Sequence, residues 1–454
     1  MRHSSPVPRR LLGPLLTLSV AAGCGPWQRV GDPPPKPTPA QTLTDILDQT
    51  AVFRRMGRLT SASGIPFVGV VDVLPGPADT GIGVVALSLE NRYFSFERRG
   101  NGFEARYRVD IVLQRVEMPP IIIGREQSLR VGTFQETLRN EESVVFQEPL
   151  RLAAGKYHLI VTLTDRRTNN QGRTEADLTI PAVRPGAVTA PIFIYEVTPR
   201  TDPAQPINAI INPRGTVAYG SDTLGVYLEG YRMPAGTRVP VSVIDSRDSV
   251  ILRDTLVFTG ATPIEGRVAK IVPDSAPLGE LHVVVGDSAH HDEAVALVSF
   301  SNAWALTNYD QMAELLRYFG HDDQLAAIKK AAPADRPAMW RKFWKDTDPN
   351  PATPENEAID AYFTRIAAAN RRFTDEGIPG WLTDRGEVFI TLGDPDQTLD
   401  QSGYNQGRVI RWDYTLQRLT LYFVDETGFG RFRLTIASRS DFQRVVDRIR
   451  RLGH

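Results

Sequence analysis

The sequence predicts a multidomain, mostly β protein: two all-β sandwiches followed by an α+β C-terminal domain in which helices pack on an antiparallel meander sheet. Three observations carry this. The chain of 454 residues is longer than one core organises. Its apolar residues alternate with period two from about residue 65 to 300, and the period turns helical from about Asn308 before alternation returns. The boundaries that follow are a leader at 1–23, a Pro-rich tether with a short helix at 24–62, sandwiches at 63–186 and 187–302, and the α+β domain at 303–454. With 34 Pro and 36 Gly the composition agrees with a turn-rich β chain.

At the N-terminus, Arg2, Arg9 and Arg10 precede an apolar run from Leu11 to Ala22. That run is too short to span a bilayer, which needs about 20 residues, and reads as a signal peptide. Small residues in "VAAGC" lead directly to Cys24, the single cysteine of the chain, and this resembles the lipobox of bacterial lipoproteins. The resemblance implies lipidation of Cys24, hence a membrane partner reached through that lipid, and it explains a thiol with no disulfide partner. Gly25, rather than Asp, after the cysteine resembles the sorting pattern of proteobacterial lipoproteins, and that resemblance implies the outer membrane, facing periplasm or cell surface. "GPWQRVGDPPPKPTPAQ" then forms an extended tether. The formal charge of −1 becomes −4 once the leader arginines are removed, which argues against a nucleic-acid partner.

A short helix is expected from Thr44 to Leu59, capped by Thr44 or Asp45. "FVGVVDVL", "IGVVALSLE", "YFSFERRGNGFEARYRVDIVLQRV" and "YHLIVTLTD" are the strands of the first sandwich, with a hairpin turn at Arg99–Gly102. Gly155-x-Tyr157 at the start of a late strand resembles the tyrosine corner of immunoglobulin-like sandwiches, where the phenol bonds back to the backbone; Tyr157 as plain core is the alternative. A linker at Arg184–Pro191 leads into a second run of short strands. Among these, "LGELHVVVGD" has the layout of "AGKYHLIVTLTD", which supports two immunoglobulin-like domains in tandem.

Beyond Asn308, apolar stripes mark three helices. Thr353 is the expected cap of the third, with Pro354 in its first turn. Alternating sets then read as strands: Val388, Ile390 and Leu392; Ile410, Trp412 and Tyr414; Leu419, Leu421 and Phe423; Phe432, Leu434 and Ile436. A helix at Asp441–Leu452 closes the chain, with Arg444, Arg448 and Arg451 on one face and Val445, Ile449 and Leu452 on another.

Trp340, Phe343 and Trp344, "DPNPATPENE", Tyr362, Arg365, "AANRRF", "PGWLTDRG", "FITLGDPD" and Trp412-x-Tyr414 stand in the order found in the GWxTD-domain family, bacterial lipoproteins that this chain resembles from about Tyr309 to Ile436. The family brings no biochemical activity to carry over. Its resemblance implies an envelope location and singles out Gly380, Trp381, Thr383, Asp384, Arg385, Gly386, Gly393, Pro395 and Asp396.

Read physically, these residues have structural work. Pro379 and Gly380 set the chain path, Thr383 and Asp384 cap a local turn, and Trp381 is expected against the aromatic face of Trp340 and Trp344. Arg385 is placed to meet Asp384 or Glu357, and Gly386 to let a strand start close to another backbone. Asp394-Pro395-Asp396 suits a tight turn. The catalytic alternative takes Asp384 and Glu387 as an acid/base pair for polysaccharide or peptidoglycan hydrolysis. No histidine lies between His321 and His454, so a triad in this region is not expected. Two sets of residues have metal-ligand types: His290, His291, Asp292 and Glu293, and a calcium-like spacing at Asp394, Asp396, Thr398 and Asp400, where Leu399 replaces the glycine of a calcium loop. No cofactor is expected. The leading expectation is a scaffold or binding module for an envelope protein or glycan.

Overall fold

The computed structural model describes residues 49–452 apart from 62, 117, 140–141, 221–222, 273–275, 288–290, 302–304, 354–355, 374–377, 401–407 and 429. Cys24, the leader, the tether, Thr44 and Asp45 lie outside the described residues, as does His290. Helix α1 (Gln49–Arg55) is followed by β1 (Leu59–Ser61), β2 (Phe67–Pro75), β3 (Gly81–Leu89), β4 (Glu97–Arg99), β5 (Gly102–Gln114), β6 (Ile121–Val131), β7 (Val144–Leu152), β8 (Gly155–Asp165) and β9 (Gln171–Ile180). The expected hairpin joins β4 to β5, with Gly100 at φ 57. A second series holds β10 (Ile192–Thr198), β11 (Asn208–Ile211), β12 (Thr216–Ala218), β13 (Leu224–Tyr231), β14 (Arg238–Asp245), β15 (Val250–Val257), β16 (Ile264–Ile271), β17 (Gly279–Gly286) and β18 (His291–Ser299).

The same connectivity occurs twice among the described residues. In the first series, β2, β3 and β7 form one sheet and β6, β5, β8 and β9 another; in the second, β10, β13 and β16 answer β15, β14, β17 and β18. All of these pairings are antiparallel. Each pair of sheets shares a core, Val85, Leu87 and Phe146 meeting Val109, Ile111 and Leu159 in the first, and Val226, Leu228 and Ala269 meeting Val243, Leu281 and Val283 in the second. The two strands whose layouts match in sequence, β8 and β17, occupy equivalent places. The Tyr157 hydroxyl donates to the Ala153 carbonyl at 3.0 Å.

The two modules join through the outer faces of their smaller sheets. Ile82, Val84 and Ala86 meet Ile192, Ile194 and Tyr227, so all nine residues of β3 are buried. A strand covered on both faces needs a continuous apolar run rather than alternation, and "GIGVVALSL" has one. Buried ion pairs cross or flank this seam. Arg200 pairs with Glu229 at 2.5 Å and also donates to the Pro75 carbonyl; Arg214 pairs with Glu90 at 2.8 Å and donates to Ser88. The expected linker is itself tied down, Val188 bridging to Gly230.

The C-terminal part contains α2 (Tyr309–Leu315), α3 (Asp322–Lys330), α4 (Arg336–Thr347), α5 (Glu357–Arg372), α6 (Asp384–Leu392), β19 (Gln397–Asp400), β20 (Arg408–Tyr414), β21 (Leu419–Asp425), β22 (Arg433–Leu434) and α7 (Ile436–Leu452). The four strands form an antiparallel meander in chain order. Its core is continuous with that of the second module: the Trp340 ring lies 4.6 Å from Phe300, and its Nε1 donates to the Phe300 carbonyl.

Four expectations need correction. Val388–Leu392 is helical, not a strand: α6 is buried nearly all round, so packing on every side overrides the β preference of Val, Phe and Ile. Helix α5 is capped by Asn356, whose side chain accepts from the Ile359 amide, while Thr353 bonds the Glu357 carboxylate instead. Helix α7 starts at Ile436 rather than Asp441, because the Thr435 hydroxyl accepts from the Ser438 amide and serves as its cap. Leu59, expected at the end of the first helix, opens β1.

Candidate functional site

The stretch from Pro379 to Leu392 is a turn of 3-10 helix followed by α6. Helix α5 ends at Arg372, and Asn370 in its last turn accepts from the Gly380 amide at 2.9 Å. A Cβ on Gly380 would lie 2.3 Å from the Ala369 carbonyl oxygen, and one on Gly386 would lie 2.0 Å from the Gly380 carbonyl oxygen. Both glycines therefore exist for backbone contact between helices, not for a loop to a strand. Thr383 is fully buried and does two things. Its hydroxyl donates to the Gly380 carbonyl at 2.7 Å and accepts from the Gly386 amide at 2.9 Å, which caps α6.

Trp381 is completely buried. Its neighbours are not the expected Trp340 and Trp344 but Tyr318, with ring centroids 6.3 Å apart, and the Arg317 guanidinium 5.3 Å from its ring. Trp340 packs at the junction with the second module, against Phe300 and Phe343, and Trp344 packs against Trp340. Trp412 packs against Phe373 and Phe423. Tyr414 donates to the carbonyl of Gly393, the residue that ends α6.

The charges of the motif close on the end of the chain. Asp384 accepts from the Leu434 amide at 2.7 Å, lies 2.8 Å from Arg439 and 3.3 Å from Arg433, and is 14% exposed. Glu387 pairs with the same Arg439. Burial lowers the Arg439 pKa, and the hydrogen bonds and charges of Glu387 and Asp384 more than offset it, leaving the group raised. Arg385 does not reach for Asp384 or Glu357 as expected: its guanidinium lies over the rings of Phe373 and Phe432, 5.1 and 4.5 Å from their centroids. Arg433, Leu434 and Arg439 were invisible to motif reading because they lie about 50 residues away and meet Asp384 only through the meander. Asn370 and Thr435 did carry a local signal as polar residues at helix ends.

Asp384→Asn keeps the size but removes the charge that holds Arg433 and Arg439. It is expected to cost about 1–2 kcal/mol, read from urea unfolding of the purified chain. An unchanged midpoint would show that the carboxylate adds nothing to the closure.

The calcium-like spacing dissolves in the structure. Thr398 and Asp400 lie in strand β19, an extended segment rather than a loop curled around an ion. Asp394 pairs with Arg372, and Asp396 accepts from the Thr415 amide at 2.6 Å. Pro395 lies between them at the start of this turn. Of the histidine cluster, His291, Asp292 and Glu293 start β18, and Glu293 pairs with His282. No group of three metal-ligating side chains occurs among the described residues. On α7, Phe442, Val445 and Val446 are buried, while Ile449 is 45% exposed; Arg444 pairs with Asp441 and Arg450 with Asp322. No helix among the described residues is long and apolar enough to cross a membrane.

Fold and site together define a mostly β chain with a C-terminal helical part, locked by a Gly-Trp-x-Thr-Asp turn that caps a buried helix. Residues 280–431 match the GWxTD domain, so this is a GWxTD-domain-containing protein. The match begins inside β17 and stops before β22 and α7, so it takes in the end of the second β module, helices α2 to α6 and strands β19 to β21. No curated protein matches the chain.

Proposed function

We propose that this is a lipid-anchored cell-envelope protein, a non-catalytic scaffold or binding module for an envelope protein or glycan, held to the outer membrane by lipid on Cys24. Its two β modules are immunoglobulin-like in this reading, which the repeated connectivity and the Tyr157 to Ala153 hydrogen bond support. One observation carries the non-catalytic reading: Asp384, the acid of the motif, is closed by a backbone amide and two arginines of its own chain. A general acid or nucleophile needs an open face toward substrate, and an acid/base pair sharing one arginine offers little of one.

The test for catalysis is comparison of cell-wall digests from cells making the wild type, Asp384→Asn or Glu387→Gln. Identical digests are expected. Wild-type cleavage products that vanish in both variants would overturn the reading in favour of a hydrolase. For the anchor, Cys24→Ala is expected to move the protein from the membrane fraction to the soluble fraction; retention in the membrane fraction would refute lipid anchoring.

A further inference from the structure

Strand β6 is an edge of its sheet. It pairs with β5 over all 11 of its residues without a register shift, and no other strand among the described residues pairs with it. An open edge is a template for a further strand, and chains guard such edges with proline, bulges or inward charge. β6 has neither proline nor bulge. Its one charge on the core side, Arg125, is taken up by Glu148 of β7 at 2.6 Å.

Side chains of β6 alternate between two faces. Ile123 and Leu129 belong to the core, so Gly124, Glu126, Ser128 and Arg130 stand on the outer face. Sign alternates across that face: Arg108 of β5 opposes Glu126 and pairs with it at 3.3 Å, and Glu104 opposes Arg130 and pairs with it at 3.3 Å. Glu126 and Arg130 are still 52% and 76% exposed, which leaves each accessible from the open side. About Ser128 the row is its own complement. Glu126 and Arg130 flank it symmetrically, and so do Gly124 and Gly132 further out. A second strand of the same sequence, antiparallel and centred on Ser128, sets Glu126 against Arg130 twice and glycine against glycine. Only residues of one face oppose each other in an antiparallel ladder, so a two-fold axis must pass through a residue position. At Glu126 or Arg130 it would oppose like charges; at Gln127 or Leu129 it would pair neither charge.

We propose that β6 is a homodimer interface, two copies of the chain joining edge to edge about a two-fold axis at Ser128 into one continuous sheet. Charges then alternate across the junction in the order Arg108, Glu126, Arg130, Glu104, the last two from the second copy. Beyond the ladder, Ile121 and Ile122 of one copy run beside the segment that follows β6 in the other, which carries Phe134 and Leu138. All four are exposed in the single chain, and pairing covers them. A contact of this kind is isologous and closes at two copies. It does not depend on lipid at Cys24.

The experiment is sedimentation velocity on the full chain carrying Cys24→Ala, so that neither lipid nor a native disulfide joins two copies. A dimer that dissociates on dilution is expected. Glu126→Arg and Arg130→Glu should each weaken it at least tenfold, because each sets like charges against each other across the axis. Mixed in equal amounts, the two variants should associate at least tenfold more tightly than either alone, since the acids of one copy then face the arginines of the other. In the same background, oxidised glutathione should cross-link Ser128→Cys into a dimer and leave Ile122→Cys, far from the axis, uncross-linked. A chain that stays monomeric at every concentration overturns the proposal and leaves the edge to a strand of another protein. A dimer unmoved by both charge variants, a mixture no tighter than its components, or equal cross-linking through Ile122→Cys overturns it as well.

Discussion

Gly386→Ala should destabilise the C-terminal part by about 3 kcal/mol or more, although helix propensity alone predicts the opposite sign. Gly386 sits in the first turn of α6, where Ala is favoured over Gly by about 1 kcal/mol on propensity. The added Cβ, however, would lie 2.0 Å from the Gly380 carbonyl oxygen and 2.9 Å from the Trp381 Cα. Neither is the end of a flexible side chain. The turn cannot retreat, because Gly380 is held by Asn370 on one side and by Thr383 on the other. Helix α6 would have to move instead, loosening the Thr383 cap and the Asp384 to Leu434 bond. Urea unfolding followed by tryptophan fluorescence reads the effect. A variant as stable as the wild type would show that the close approach is not what holds the turn.

Asp72→Asn carries the second large effect, and its sign depends on pH. The folded-state pKa of Asp72 is raised from 3.8 to about 7 by burial, with the Arg58 charge partly opposing. A raised carboxyl favours its neutral form in the folded state. Below the unfolded pKa both states are protonated and no penalty exists. As pH rises toward 7 the folded state is progressively penalised, and above 7 the penalty is constant. Its upper limit is about 4 kcal/mol, and solvent reaching the partly exposed Asp72 lowers it to about 2–4 kcal/mol. Asn removes the charge, so the variant should be more stable by that amount at pH 8 and nearly equal to the wild type at pH 4. Arg58 and Asp292 are the charged groups facing the same region and remain unchanged. Denaturation at the two pH values decides it: a gain that does not depend on pH would remove burial of the charge as its cause.

Much of the architecture was legible because strand periodicity is local. Alternation marked the strands of both modules, and the similar layouts of "AGKYHLIVTLTD" and "LGELHVVVGD" pointed to strands that the fold does place equivalently. Asp72 was legible only in part. An acid in "FVGVVDVL" reads as a solvent-facing position until a second sheet covers that face. Helix α6 was misread for the same kind of reason: "EVFITL" has the residues of a strand, and its Thr383 cap was assigned to a turn.

What the sequence by itself determined was the set of local choices: which segments alternate, where glycine and proline bend the chain, and that Gly380, Trp381, Thr383 and Asp384 belong to one structural device. Tertiary structure alone decided what that device holds. Trp381 meets Tyr318 and Arg317 rather than the tryptophans expected, and Asp384 closes on Leu434, Arg433 and Arg439. Periodicity reports whether a face is covered, but not by what. The partner of a buried charge is set by how distant segments pack, and no spacing along the chain encodes it.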